Sequence, residues 1–90
     1  MATHKSAKKR ARQDLKRRAR NRSVMSSVRT AVKKFRSSLS GEDTGATEAA
    51  LRQAEGMIRR SVSKGVTPRK RASRQISRLT RERNRSLTPS

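Results

Sequence analysis

The chain has 90 residues, 26 of them Lys or Arg against 6 Asp or Glu, a net charge of +20 at neutral pH. Only 29% of residues are hydrophobic and Phe35 is the single aromatic, so one small domain with a thin core is expected, and self-repulsion opposes its compaction unless a polyanion is bound. With no cysteine, one histidine (His4) and no long apolar run, the composition argues against disulfides, zinc or triad chemistry, a signal peptide or a membrane span; no enzyme activity, cofactor, metal or small-molecule substrate is expected.

No Gly or Pro occurs from Met1 to Ser40. Residues 5–22 are rich in Ala, Lys, Arg, Gln and Leu, all strong helix formers, and contain no β-branched side chain. From Met25 onward, Met25, Val28, Val32, Phe35 and Leu39 alternate three- and four-residue spacings, which is one apolar stripe on a helix. The pattern predicts a single helix from about residue 6 to 40, roughly 50 Å long. So small a core does not require such a length.

The first half of this helix is "KKRARQDLKRRARNR", residues 8–22. Nine of the fifteen are basic: Lys8, Lys9, Arg10, Arg12, Lys16, Arg17, Arg18, Arg20 and Arg22. Its apolar residues, Ala11, Leu15 and Ala19, recur every four, and the bases point in all directions. A helix that is polar all round buries nothing in its own protein. Polyanion on several sides would stabilise it, each phosphate contact also releasing counterions. A nuclear address needs only a short basic cluster, and a floppy tail is usually richer in Gly, Pro or Ser. The favoured reading is a basic helix inserted between nucleic-acid segments, which the free protein can leave disordered. In the second half, Arg22, Arg29, Lys33 and Arg36 share a flank about 90° from the apolar stripe.

"GEDTG", residues 41–45, interrupts the pattern. Asp43 or Thr44 can cap a second helix, with Glu48 near its positive end. Ala50, Leu51, Ala54, Met57, Ile58 and Val62 form its wide apolar face. Arg59, Arg60 and Lys64 suit its negative end, and Gly65 suits the position just past it. Gly56 lies inside this helix, at a cost of about 1 kcal/mol relative to Ala. Close helix packing and no role at all are equally open readings of it.

Thr67-Pro68 reads as an N-cap followed by Pro at the first helical position. A third helix is expected from about 68 to 84, with Ala72, Ile76 and Leu79 inward. On a helical wheel, Arg71, Arg74, Arg78, Arg81 and Arg85 form a second stripe about 150° from the first. A solvated face normally mixes signs to gain i,i+4 pairs; this one carries a single sign. All five are Arg, whose planar fork grips phosphate oxygens bidentately and stacks on bases. The residues after Arg83, "NRSLTPS", read as a disordered tail.

The charge is partitioned along the chain. Residues 1–40 carry 14 bases against Asp14, a net +13; residues 41–65 carry four of each sign; residues 66–90 carry eight bases against Glu82, a net +7. The neutral middle helix has the widest apolar face, so it is expected to pack on the side away from the polyanion. There is no aromatic platform for single-stranded bases and no zinc-finger or single-strand RNA module signature. Contacts should be mainly to phosphate and sugar, read through shape. Ser23, Ser26, Ser27, Thr30, Ser73 and Ser77 could bond phosphate or a 2′-hydroxyl, although each alone reads better as an ordinary helix-surface hydroxyl. Such contacts suit RNA and DNA alike.

The segments "MATHKSAKKRARQ", "KRRARNRS", "VRTAVKKF" and "ASRQISRL", in that order, resemble the bacterial small-subunit ribosomal protein S-twenty family. The resemblance runs from about Thr3 to Leu79. It rests on Lys5-Ser6-Ala7-Lys8-Lys9-Arg10, Lys16-Arg17-Arg18, Asn21, Arg29-Thr30, Lys33-Lys34, Gly65, Ala72, Arg74 and Leu79. Each piece is low in complexity, but their order and spacing are specific. The resemblance implies a three-helix protein that binds 16S ribosomal RNA directly, low in the body of the small subunit, with its long first helix among RNA helices. Before the third helix the family usually has a His and, two residues later, an Asn. This chain has Pro68 and Lys70 there, so contacts made by that His or Asn do not carry over, while Lys70 can still meet phosphate.

The expectation is therefore an all-α, three-helix bundle with a long, protruding basic N-terminal helix. It is one RNA-binding domain over residues 1–90: a basic extension at 1–22, the bundle at 23–84 and a tail at 85–90. The candidate RNA-binding residues are Lys5, Lys8, Lys9, Arg10, Arg12, Lys16, Arg17, Arg18, Arg20, Arg22, Arg29, Lys33, Arg36, Lys70, Arg71, Arg74, Arg78 and Arg81. Expected partners are 16S ribosomal RNA and other small-subunit components, without a membrane and without homo-oligomers. The expected setting is the cytoplasmic ribosome of a bacterium, or a plastid; the start at Met1 without a transit peptide fits a bacterial or plastid-encoded gene. The main alternative is a DNA-compacting nucleoid-type protein, from which only the ordered resemblance separates the first reading. A membrane-surface role is weaker, because residues 6–22 lack the apolar face that such a helix inserts.

Overall fold

The computed structural model describes residues 4–87 of the chain. Among the described residues there are three helices and no strand: α1 (His4–Ser38), α2 (Thr44–Ser63) and α3 (Arg69–Leu87). The elements and their order are those expected from the punctuation. The differences lie at the ends. α1 stops at Ser38, two residues before the expected limit, where the Gly41 N–H donates to the Ser38 carbonyl at 3.1 Å and closes a turn. α3 continues to Leu87, so Asn84–Leu87 are helical rather than a disordered tail. Those four residues contain no Gly or Pro, and nothing in them stops a helix already formed.

The caps follow from local chemistry. Asp43 has extended backbone and its carboxylate accepts from the Ala46 N–H at 3.1 Å, which settles the choice between Asp43 and Thr44. Gly65 has φ +75°. It lets the Gly65 and Val66 N–H groups reach the carbonyls of Val62 and Ser61, each at 2.9 Å, a pairing that satisfies the orphan carbonyls of α2. The first helical bond of α3 runs from the Ala72 N–H to the Pro68 carbonyl at 3.0 Å. Pro68 is thus the residue that precedes the helix, one position earlier than expected.

α2 packs against both other helices, whereas the backbones of α1 and α3 stay more than 8 Å apart. The core is Val28, Ala31, Val32 and Phe35 from α1, Leu51, Ala54 and Ile58 from α2, and Ala72 and Leu79 from α3, with Leu39, Ala50, Met57, Val62 and Ile76 packed on its edge. Phe35, Ile58 and Leu79 are fully buried, each worth roughly 1.5–3 kcal/mol relative to exposure. Ile76 is only half-buried. Met25, placed in the stripe by its spacing, is 42% exposed and stays outside the core cluster.

Two polar ties close the bundle. The Thr47 hydroxyl, buried, donates to the Ser38 carbonyl at 3.0 Å and joins the start of α2 to the end of α1. Arg83 Nη1 donates to both carboxylate oxygens of Glu48, at 2.8 and 3.0 Å, and joins α3 to α2. Glu48 thus serves an ion pair between helices rather than only the α2 dipole.

The molecule measures 67 × 21 × 16 Å, with a radius of gyration of 18.0 Å. A compact chain of this length would have about 12 Å. The excess comes from α1, whose side chains from Ser6 to Arg20 are all exposed. Roughly 25 Å of helix projects beyond the bundle.

Candidate nucleic-acid interface

Because the backbones of α1 and α3 stay apart, a groove of about 480 Å³ runs between them. Arg29 and Arg36 line it from α1, and Arg71, Arg74 and Arg78 from α3. No acidic side chain and no residue of α2 lines it. The two arginine rows that the helical wheels placed on separate helices thus face one cleft. Val28 and Leu79 form its floor, and Met25, Val66, Thr67 and Gln75 complete its walls.

The start of α3 accentuates the charge. Arg69, Lys70 and Arg71 occupy its first turn, and no acid offsets them. Cations at the positive end of a helix macrodipole each cost about 0.3–1 kcal/mol at an exposed site. An anion held there reverses the sign of that term.

The projecting part of α1 forms the second half of the surface. Lys8, Lys9, Arg10, Arg12, Lys16, Arg17 and Arg18 surround the helix and are exposed. Leu15, at 64% exposure, has no apolar partner of its own size beside it. The side chain of Lys5 lies outside the described residues. Arg22, Lys33 and Lys70 are exposed but do not line the groove.

Two expected contact residues have internal partners. Arg20 Nη2 donates to the Lys64 carbonyl at 3.2 Å, capping the negative end of α2 and tying the extension to the bundle. Arg36 Nε and Nη2 donate to Glu82 of α3 at 3.4 and 3.5 Å. Arg36 is still 57% exposed and the bonds are long, so this pair is weak.

Arg81 faces the other side of α3. It lines a second hollow of about 810 Å³, between α2 and α3, with Arg59, Arg69, Ser73, Ser77 and the apolar Val62, Ala72 and Ile76. It also joins Arg74 and Arg78 on the outer face of α3. Arg69 and Gln75 were not singled out in the sequence, and Arg59 was read there only as a cation at the negative end of α2. A wheel shows that Gln75 lies between the apolar and arginine stripes of α3, but not what stands opposite. No helix among the described residues is long and apolar enough to cross a membrane.

The geometry is that of a rod and a cleft, both positive, on a scaffold whose neutral helix faces away. Comparison with known sequences finds relatives along nearly the whole chain. The family model described as Ribosomal protein S20 matches residues 2–84. The chain is similar to the small ribosomal subunit protein bS20 of Syntrophus aciditrophicus, with 49% identity over 84 residues, 93% of this chain and 94% of that protein. It is 51% identical to the bS20 of Anaeromyxobacter dehalogenans strain 2CP-C over 90% of this chain and 88% of the relative. With the bS20 of Nitratidesulfovibrio vulgaris it shares 45% over 93% of this chain and 97% of the relative.

Proposed function

The chain belongs to the ribosomal protein S20 family, and from that premise we propose that it is a structural, non-enzymatic protein of the small ribosomal subunit that binds 16S ribosomal RNA directly. The observation that carries the binding mode is the projecting segment of α1, basic on every side and exposed from Ser6 to Arg20. A helix of that kind has no partner in its own fold and is matched by phosphates around it. Residues 1–22 act as the extension embedded in RNA, and residues from 23 onward as the bundle that presents the groove. The lysines and arginines expected as contacts, from Lys5 to Arg81, supply phosphate and sugar contacts that position the protein by shape. Arg20 and Arg36 also hold the surface in place through Lys64 and Glu82.

The family membership favours ribosomal RNA over DNA compaction. The setting that follows is the cytoplasmic ribosome, with other subunit components as neighbours. At a net charge of +20 two copies repel, so the protein acts as a monomer on its RNA. Crosslinking in cells, followed by sequencing of the attached nucleic acid, tests this reading. Recovery of 16S RNA is expected; recovery of mainly genomic DNA would overturn it.

A further inference from the structure

The groove between α1 and α3 is more than a track of positive charge. A phosphate is best held by exposed forks and water, and gains nothing from an apolar wall. Yet Met25, 42% exposed, and half-buried Val66 keep apolar surface open beside five arginines. Among the described residues few large hydrophobic side chains stay exposed, and of those only Met25 lines this cleft. The volume of about 480 Å³ falls in the range of roughly 300–1,000 Å³ typical of small-ligand sites. An occupant that is anionic at one end and flat and apolar at the other fits both the rim and the wall.

Gln75 adds the third element. It is half-buried on the wall of the groove, and its amide offers donors and an acceptor side by side. Among the lining side chains, only the Thr67 hydroxyl shares that dual character. A side-chain amide pairs bidentately with the N6 and N7 positions of adenine.

We propose that this groove takes one unstacked nucleotide of the bound RNA. Its phosphate lies on the arginine rim, its base lies against Met25 and Val66, and its edge meets Gln75, with adenine the best match. A thioether packs well on an aromatic ring, and an arginine plane can cover the ring's other face. The inference rests on the proposed RNA-binding function and makes one position of an otherwise shape-read complex sequence-sensitive.

The test compares full-length wild type with Gln75→Ala, Met25→Ala and Met25→Lys, each checked for helix content by circular dichroism. Affinity for 16S RNA is titrated over a salt series, and the bound RNA is probed with base-modifying reagents. Gln75→Ala should lose about 5- to 150-fold in affinity with the salt slope unchanged. One adenine should change its reactivity between the wild-type and Gln75→Ala complexes. Met25→Lys is the sharper discriminator. On a phosphate track, an added cation tightens binding and steepens the salt slope by about 0.7–0.9; in a nucleotide pocket it displaces the base and weakens binding. Met25→Ala should weaken binding in the same direction without any change of charge. Wild-type binding with Met25→Lys tighter and Gln75→Ala unchanged would overturn the pocket and leave the RNA-binding function intact. Failure of the wild type to bind 16S RNA would instead overturn the function on which the pocket rests.

Discussion

Reversing the arginine row of α3 separates binding from folding. Arg71, Arg74 and Arg78 all line the α1–α3 groove, and all three are exposed. None belongs to the core. Each phosphate contact contributes about 0.7–0.9 to the slope of log affinity against log salt. At 0.1 M salt, one tenfold step below the 1 M reference, three lost contacts amount to roughly 100- to 500-fold in affinity. Replacement by Glu adds repulsion to that loss. The slope itself should fall by about 2–3. Over a rise from 50 to 200 mM salt, the wild type with roughly 6–10 phosphate contacts loses about three to five decades, and the variant about one and a half decades less. The fold should not suffer. Arg71 lies in the first turn of α3, where a carboxylate is favoured by about 0.3–1 kcal/mol. The control is Arg52→Glu with Arg59→Glu, two exposed residues of α2 that do not line the groove. Screening over about 10 Å at 0.1 M salt should hold its loss below about tenfold. The assay is a filter-binding titration at fixed and varied salt, with circular dichroism on each protein. Equal losses in the two variants would place RNA against α2 and refute the orientation.

Three further outcomes follow from the same structure. In the free protein, amides of residues 8–20 should exchange quickly, because that stretch of α1 is exposed and touches the bundle only through the Arg20–Lys64 bond at its end, and slow down when RNA binds; strong protection in the RNA-free monomer would sink the coupled-ordering argument. Gly56→Ala should stabilise the protein by about 0.5–1 kcal/mol, since a Cβ at Gly56 meets no atom within 4 Å; a lower urea midpoint would show that the glycine has a packing role after all. Leu51→Ala, at a side chain only 4% exposed, should cost about 2–5 kcal/mol, toward the low end in so thin a core, and saturating RNA should restore its helix content; a loss of affinity at unchanged stability would mean that Leu51 touches RNA.

The periodic and punctuated features of the sequence carried most of the fold. Gly41, Gly65 and Pro68 mark the breaks, and the stripe from Val28 to Phe35 marks the buried face of α1. Both are local signals, set by backbone freedom and by the helical repeat. What the sequence left open depends on how far one helix overlaps the next. Met25 continues the stripe by spacing, yet it stays outside the core and lines the α1–α3 groove instead. The Glu48–Arg83 pair joins residues 35 apart, a separation that no helical repeat encodes. The charge rows were legible on each helix alone. Their convergence on one groove was not, because it depends on α2 holding the backbones of α1 and α3 apart. Gln75 sits between two stripes that each had a clear reading, and it acquires meaning only from the groove it shares with Met25 and Val66.

The same arrangement explains why so thin a core is sufficient. Three cations crowd the positive end of α3, and the long segment of α1 has bases on every side. Both arrangements oppose folding of the isolated chain, and neither contributes to packing. They are confined to the ends of the sequence, while the neutral α2 supplies the widest apolar face and contacts both neighbours. The bundle can therefore hold its shape around Phe35, Ile58 and Leu79 with a small margin. Binding then adds RT ln(1 + [RNA]/Kd) to its stability, about 4 kcal/mol when RNA stands a thousandfold above Kd. That term is comparable to the loss expected from Leu51→Ala. A core that leans on its ligand in this way tolerates the surface charge the ligand requires.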